Sequence, residues 1–354
     1  MTRASDIIPP EETEGGNPFF SKQEKKFRLW AKDNPDLVQS SPPDSLQEGF
    51  EYFFTIMADK MGGGPSIRRV GMLGERGMPR RAMPALARTM LTILRGMNAS
   101  WKEVDKMIEN WAPIPFEPKP ELWDELNGFV KSKWDDVFIG FTELPSEMIF
   151  KGKYTLFKYA IVVAQEMKKD KIDKAPEYQA GKEVMRVYGS LGIVVNDIAN
   201  WLRKKGIRCQ SNHPLGGLTN TTSLAGKAGM GWQGMNGLLI TPQYGQRVRL
   251  APVFIEHPYF DYTDNLDHVW IEEYCELCKR CEKECPQKAI YIEKVVRIEN
   301  VPGIGKMSTC IDRDLCFEYF WKTMGCSVCV KVCPFSRAGD TYEKLRQVVE
   351  KHGS

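Results

Sequence analysis

CELCKRCEKECP at residues 275–286 and CSVCVKVCP at residues 326–334 are the two stretches on which the fold prediction rests. Nine of the ten cysteines lie between Cys275 and Cys333. The first stretch has the spacing C-x2-C-x2-C-x3-C-P, which is typical of bacterial proteins that bind [4Fe–4S] clusters. The second stretch repeats only the last three cysteines of that pattern, so one more thiolate must come from upstream. Together they predict two [4Fe–4S] clusters.

The spacing also predicts which thiolates share a cluster. Cysteines two residues apart can hold one cubane, whereas the fourth cysteine of the run faces the other cluster. The first set is therefore expected to contain Cys275, Cys278, Cys281 and Cys333. The second set is expected to contain Cys285, Cys326, Cys329 and either Cys310 or Cys316.

Zinc and disulfide bonds are the alternative uses of so many cysteines. Zinc sites of four thiolates seldom carry a third C-x2-C step followed by C-P. Disulfide bonds are disfavoured because the N-terminal sequence MTRASDIIPPEETEGGNPFF has no apolar signal segment and no twin-arginine motif. These features predict a reducing, cytoplasmic location.

Composition narrows the classes of function. The 49 Lys and Arg residues nearly balance the 46 Asp and Glu residues, and a net charge of +3 argues against DNA binding. No apolar stretch reaches about 18 residues, so no membrane span is predicted. A length of 354 residues allows two or three domains. We expect an N-terminal arm and helical region at 1–134, a core at 135–265, a two-cluster module at 266–340 and a C-terminal helix at 341–354.

Local patterns divide the N-terminal region. Residues 1–46 are rich in Pro, Gly, Ser and charge, which predicts an extended arm with little structure of its own. Helices are predicted over Leu46–Lys60, Pro79–Met97, Ser100–Trp111 with Ser100 as N-cap, and Leu122–Lys133.

The core has a different pattern. Short apolar runs at 135–144, 158–167, 237–242 and 247–256 predict buried strands. Between them, residues 176–206 carry apolar side chains at helical spacing and end at Gly206. Alternating strands and helices predict an α/β sheet domain. TYEKLRQVVEKH at 341–352 predicts the last helix.

A glycine-rich segment, SNHPLGGLTNTTSLAGKAGMGWQGMNGLLITPQYGQRVRL at 211–250, precedes the cysteines. Its glycines allow a ligand to approach the backbone, and its hydroxyl and amide groups offer neutral hydrogen bonds. It contains neither a dinucleotide-binding G-x-G-x-x-G motif nor a Walker A lysine. The segment is therefore expected to be either a cofactor-binding loop or an ordinary glycine-rich loop.

Much of the sequence resembles a known family, most specifically from Gly216 onward. AGKAGMGWQGMNGLLITPQYGQRVRL, followed by CELCKRCEKECP and DLCFEYFWKTMGCSVCVKVCPFS, is similar to the corrinoid-dependent reductive dehalogenases and, more weakly, to epoxyqueuosine reductase. The resemblance covers about residues 135–337. It implies an α/β (α+β) fold, with a nitroreductase-like cobalamin-binding core followed by a ferredoxin-like module with two [4Fe–4S] clusters.

The resemblance also implies roles for individual residues. The family's lone cysteine lies about ten residues before the second motif, which favours Cys316 over Cys310. A tyrosine donates the proton that replaces the halide, and a nearby Arg or Lys favours its phenolate. Tyr188 and Arg247 are the expected pair, with Arg249 as a rival on the same strand face. The expected cobalamin contacts are Asn212, Gly216, Gly217, Thr219, Gly231, Gly234 and Asn236.

The implied reaction is reductive removal of halogen from a small organohalide. Electrons are expected to come from a donor such as ferredoxin or flavodoxin and to pass through an outer cluster to an inner one and then to cobalt. The set of Cys285, Cys316, Cys326 and Cys329 is the favoured outer cluster, although the spacing does not decide which cluster is the inner one. One alternative is reduction of a nucleoside-like substrate, as in epoxyqueuosine reductase. The chain lacks a basic patch, so tRNA is not the expected partner. Another alternative is a non-catalytic two-cluster electron-transfer protein.

Overall fold

The computed structural model describes residues 22–45, 83–112, 114–323, 325–337 and 339–352. Its helices are α1 Lys22–Asp33, α2 Met83–Glu109, α3 Glu121–Lys133, α4 Lys169–Ile172, α5 Tyr178–Lys204, α6 Thr221–Lys227, α7 Ile271–Cys278, α8 Arg280–Glu284, α9 Arg313–Lys322, α10 Val328–Val332 and α11 Thr341–His352. Its strands are β1 Gln39–Ser40, β2 Val137–Glu143, β3 Tyr154–Thr155, β4 Tyr159–Glu166, β5 Cys209–Ser211, β6 Trp232–Gln233, β7 Leu239–Ile240, β8 Val248–Ile255, β9 Ile290–Val301 and β10 Gly305–Ile311.

A four-stranded antiparallel sheet lies at the centre of the core, in the strand order β2-β4-β8-β5. Val162 of β4 is opposite Gly140 of β2 and Pro252 of β8; β8 pairs with the whole of β4, and β2 pairs with all of it except Glu166. Because its strands pair antiparallel, the core belongs to the α+β class. The predicted fold class included both α/β and α+β.

Helices cover both faces of this sheet. Ile161 and Val163 of β4 pack with α3 and α5 on one face. Ala160 and Val162, which alternate with them, pack on the other face with side chains of α1, α2 and α6. The alternation explains why β4 is an almost continuous apolar run, because each of its two faces is buried in a core.

The C-terminal module carries the cysteines. Helices α7 and α8 contain Cys275, Cys278 and Cys281 of the first run, and α10 contains Cys329 of the second. The antiparallel hairpin β9–β10 connects them. Helix α11 closes over α7 through Tyr342, whose ring packs edge-on against Trp270 and lies close to Phe335.

Several predicted elements are confirmed to within a few residues: α3, α5, β2, β4, β8 and α11. Gly206, with φ of 79°, follows the end of α5 as expected. Among the described helices, none has the length and apolar character needed to cross a membrane. The helix predicted at Leu46–Lys60 lies outside the described residues.

Two predictions about the N-terminal region are wrong. Part of the supposed arm forms α1, which buries Phe27 and Ala31 in the core. Its many charges concealed this short apolar face. The two helices predicted on either side of Ser100 are one helix, α2. Ser100 lies inside α2, where its hydroxyl donates to the carbonyl of Gly96 (3.2 Å) and caps nothing.

Candidate functional site

The two cysteine runs have the same local backbone. Lys279 follows Cys278 with φ of 47°, and Ser327 follows Cys326 with φ of 56°. Each of these left-handed residues starts a five-residue helix, α8 or α10, which ends before a cysteine–proline pair. The repeated geometry presents the thiols of the two runs in equivalent ways, as expected of two cluster half-sites.

Eight thiols lie close enough to act on one another electrostatically. Burial raises the pKa of Cys333, and the neighbouring Cys275, Cys281 and Cys278 raise it further. Burial likewise raises the pKa of Cys316 to about 12, and its thiol neighbours are Cys329, Cys326 and Cys285. These neighbours match the two predicted sets, but Cys329 of the second set also raises the pKa of Cys281 of the first, so the division into two sets stays a prediction. Cluster binding would remove the protons, because the thiolate is the ligand form.

Cys310 lies apart from both groups. Burial raises the pKa of its thiol, and the charged side chains acting on it are Lys294 and Glu272. Its Sγ is 3.9 Å from the hydroxyl of Ser308. The arrangement therefore favours Cys316 in the second set. In the part of the chain that the structure describes, no three His, Cys, Asp or Glu side chains are placed to hold a single metal ion.

The expected pairing of Tyr188 with Arg247 needs correction. Arg247 is buried and forms an ion pair with Glu166. It also donates to the carbonyls of Ser336 (2.9 Å) and Met167 (3.1 Å). Arg247 therefore connects the sheet to the cysteine module.

Arg249 takes the place expected of Arg247. Its guanidinium carbon is 5.0 Å from the centroid of the Tyr188 ring, within the range of a cation–π contact. Its Nε is buried and has no hydrogen-bond partner among the described residues. The same guanidinium lowers the pKa of Cys329, against a larger rise caused by burial. Tyr188 and Cys329 both pack against the apolar cluster of Val184, Val187 and Val330.

Two of the expected cofactor-binding glycines lie in close contact with other residues of this chain. A methyl group on Gly231, which has φ of 149°, would overlap the carbonyl of Ile240. A methyl group on Gly234 would lie 2.8 Å from Nε2 of Gln246. Nδ2 of Asn236 donates a hydrogen bond to Oε1 of Gln246. The structure therefore accounts for these three residues by contacts within the chain.

The other four expected contacts lie at the start of the glycine-rich segment. Asn212 accepts a hydrogen bond from the backbone N–H of Leu218 (3.0 Å). Asn212 and Gly216 line a cavity of about 10 Å³, which has room for one water molecule. Gly217 has no close neighbour that a side chain would displace. Thr219 has a buried hydroxyl without a hydrogen-bond partner among the described residues.

A larger cavity, of about 550 Å³, lies between the glycine-rich segment and the hairpin β9–β10. Cys275 forms part of its wall, and Trp232 is fixed there by donating to Glu272 (2.9 Å). None of the seven expected cofactor contacts lines it. Sequence reasoning missed this site because the hairpin residues that close it carry no motif. Its other lining residues include Thr222, Ser223, Gln233, Met235, Ile292, Lys294 and Ile304.

Comparisons with known proteins agree with these features. The family model of the 4Fe-4S dicluster domain matches residues 274–337. A tetrachloroethene reductive dehalogenase of Desulfitobacterium hafniense is 32% identical over 196 residues, which cover 52% of this chain and 34% of that protein. An epoxyqueuosine reductase of Listeria monocytogenes is 26% identical over 240 residues, covering 58% of this chain and 56% of that protein.

The fold comparison leads to the same group of proteins. A solved catabolic reductive dehalogenase superposes with a TM-score of 0.62 at 17% identity, over 88% of this chain and 45% of that one. The likeness at this identity concerns the fold. The expected resemblance and fold class are thus confirmed, and the chain spans about a third of the length of the dehalogenase that it matches in sequence.

Proposed function

We propose that this chain is an oxidoreductase that replaces the halogen of a small organohalide by hydrogen, using a corrinoid and two [4Fe–4S] clusters. One observation carries the proposal: Arg249 lies on the ring of Tyr188 and its charge also acts on Cys329. A proton donor, a cation and a cluster ligand thus lie together. The dicluster domain and the dehalogenase relatives support the same assignment.

The reaction breaks one carbon–halogen bond and forms one carbon–hydrogen bond. Two electrons come from an external donor, one proton comes from the protein, and the halide leaves with the bonding pair. Tyr188 is the proposed proton donor. Arg249 stabilises the phenolate that remains, because an adjacent cation favours the charged form of a tyrosine. Its buried Nε–H has no hydrogen-bond partner among the described residues.

Two of the described residues have polar atoms that lack a partner within the protein. The hydroxyl of Thr219 and Nε of Arg249 are both buried without a hydrogen-bond partner among the described residues, which is unusual for buried polar groups, and we propose that they face the corrinoid. Asn212 and Gly217 lie on the same segment as Thr219. When bound, the corrinoid would supply a low-valent cobalt that accepts electrons and acts on the carbon–halogen bond.

The order of the clusters is also part of the proposal. Cys329, from the second set, is half-buried; it packs with Tyr188 against one apolar cluster, and the charge of Arg249 acts on it. Cys275, from the first set, lines the 550 Å³ cavity. We therefore propose that the cluster held by the second cysteine set lies next to the reaction site and that the cluster held by the first set receives electrons from the donor. This is the reverse of the order favoured from the sequence. A small redox protein such as ferredoxin or flavodoxin is the proposed donor.

Removing the hydroxyl group of Tyr188 tests the proposal. Tyr188→Phe should retain both clusters and the corrinoid spectrum but lose at least a hundredfold in the rate of halide release. Tyr244→Phe is a matched control, since Tyr244 also lies under an arginine, with Arg247 at 6.0 Å from its ring centroid. Normal halide release by the Tyr188 variant would overturn the assignment of Tyr188.

Reduction of an epoxide in a nucleoside substrate is the second candidate. The epoxyqueuosine reductase alignment favours it, because it covers more than half of both proteins. Tight binding of a tRNA stem-loop, together with turnover of its epoxide and no halide release, would select this candidate.

A further inference from the structure

Gln165 of β4 is directly opposite Arg249 of β8 in the antiparallel sheet. Residues paired in this way carry their side chains on the same face of the sheet, where a carboxylate and an arginine would form a favourable cross-strand ion pair. The chain has a buried, neutral amide in that position instead. The residue facing the arginine proposed to act on Tyr188 is therefore uncharged.

The amide of Gln165 is bound by two neighbours on the side of β2 and α5. Its Nε2 donates to the two carboxylate oxygens of Asp136 (3.3 and 3.1 Å) and to the hydroxyl of Ser190 (3.0 Å). The carboxylate fixes which end of the amide is the nitrogen. Oε1 of Gln165 and Nε of Arg249 are both buried without a hydrogen-bond partner among the described residues, so the two paired side chains do not bond to each other through these atoms.

Two carboxylates close to Gln165 have partners other than Arg249. Glu166, the next residue of β4, forms its ion pair with Arg247. Asp136 precedes β2, which lies on the opposite side of β4 from β8, and it accepts the hydrogen bonds of the Gln165 amide. Arg249 forms no ion pair with any of the described residues. Gln165 thus occupies the position facing Arg249 and also binds the carboxylate on its other side.

We propose that Gln165 is a positioning residue that keeps Arg249 out of an ion pair and so leaves its guanidinium on the ring of Tyr188, 5.0 Å from the ring centroid. This role rests on the proposed function, because it affects the reaction only if Arg249 assists proton donation by Tyr188. It requires no contact between Gln165 and the substrate. A carboxylate at position 165 should attract Arg249 and weaken its action on Tyr188.

Moving one negative charge across the sheet tests this role. Gln165→Glu places a carboxylate opposite Arg249, and Asp136→Asn in the same chain restores an amide–carboxylate hydrogen bond between the two positions. This double variant keeps the net charge of the wild type. With both clusters and the corrinoid bound, it should release halide at least roughly tenfold more slowly than wild type. Gln243→Glu is the control for an added carboxylate, because Gln243 is exposed in the turn before β8, and it should keep the wild-type rate.

A second measurement does not depend on halide release. Oxygen-free urea unfolding of the full chain with both clusters gives the cost of Arg249→Gln in wild type and in the double variant. The cost should be larger in the double variant, because Arg249 gains an ion pair there. Equal costs would overturn the proposal.

The two proposals can fail separately. A slow Arg249→Gln variant beside a double variant with the wild-type rate of halide release overturns the role of Gln165 alone, since a purely structural amide is replaced by the exchanged pair. An Arg249→Gln variant with the wild-type rate overturns the action of Arg249 on Tyr188, on which the role of Gln165 rests.

Discussion

Arg249 lies 5.0 Å from the centroid of the Tyr188 ring, and no other cation–π contact to this ring is found among the described residues. If its charge favours the phenolate during proton donation, Arg249→Gln should lower the rate of halide release by about a hundredfold or more. Arg249→Lys keeps the charge and should recover part of that loss. Equal rates in wild type and Arg249→Gln, with both cofactors bound, would contradict this role.

Arg247 should behave in the opposite way. Arg247→Gln leaves Glu166 without its partner and removes the bonds to the carbonyls of Ser336 and Met167. Because Glu166 retains partial exposure, we expect a loss of about 3 kcal/mol in the free energy of unfolding. Urea unfolding measures this loss. Halide release per folded, loaded molecule should stay near the wild-type rate, and a hundredfold decrease would restore Arg247 as the catalytic residue.

Cys316 and Cys310 should differ in iron content. Cys316→Ala removes a thiol that lies among Cys329, Cys326 and Cys285, so we expect about four irons per chain in place of about eight. Cys310→Ala should keep both clusters, because its charged neighbours are Lys294 and Glu272. Iron and sulfide analysis distinguishes the variants. The reverse result would assign the ligand to Cys310.

Gly192 allows α5 to pack against a histidine. A methyl group at this position would overlap the ring of His213. Gly192→Ala should therefore lower the free energy of unfolding by about 1–3 kcal/mol. Gly128→Ala in α3 is the control, because nothing lies within 4 Å of the added methyl group. It should stabilise the protein by about 0.5–1 kcal/mol, and equal effects of the two changes would refute the packing argument.

His213 should make the protein sensitive to mild acid. Burial lowers its pKa from 6.5 to about 4, and its Nδ1 accepts a hydrogen bond from the N–H of Leu215 (3.1 Å). Below pH 6.5 the unfolded chain takes up a proton that the folded chain refuses, so stability falls as pH falls. From pH 6.5 to pH 5 this contributes about 2 kcal/mol of lost stability.

Oxygen-free urea unfolding at the two pH values measures this loss. His213→Asn removes the titrating group and should show a smaller acid effect than wild type. An identical pH dependence in both proteins would show that His213 is not responsible.

Local patterns were sufficient for much of the architecture. The cysteine spacing predicts the two repeated half-sites, because each half-site is formed by a few neighbouring residues. Helix α5 and strand β4 follow from their periodicities, since each has at least one fully buried face. In α1, a short apolar face among many charges was too weak a signal to distinguish a helix from an arm.

The roles of the two arginines and of the glycine-rich segment depend on contacts between residues far apart in the sequence, so the sequence alone did not predict them. Arg247 and Arg249 are two residues apart and were expected on the same strand face, but β8 begins at Val248, after Arg247. Glu166 and Ser336, both remote in sequence, bind the first and leave the second for Tyr188. The glycine-rich segment presented a similar ambiguity. Gly231 and Gly234 have the composition of a cofactor loop, but their neighbours are Ile240 and Gln246.

Single-turnover halide release tests the central claim most directly. The full chain is loaded under anaerobic conditions with iron, sulfide and a cobalamin, reduced, and mixed with an organohalide while iron and cobalt are counted. The account predicts about eight irons and one cobalt per chain, with one halide released for every two electrons consumed. A chain that holds the irons but no cobalt, or that holds both and releases no halide, would contradict it.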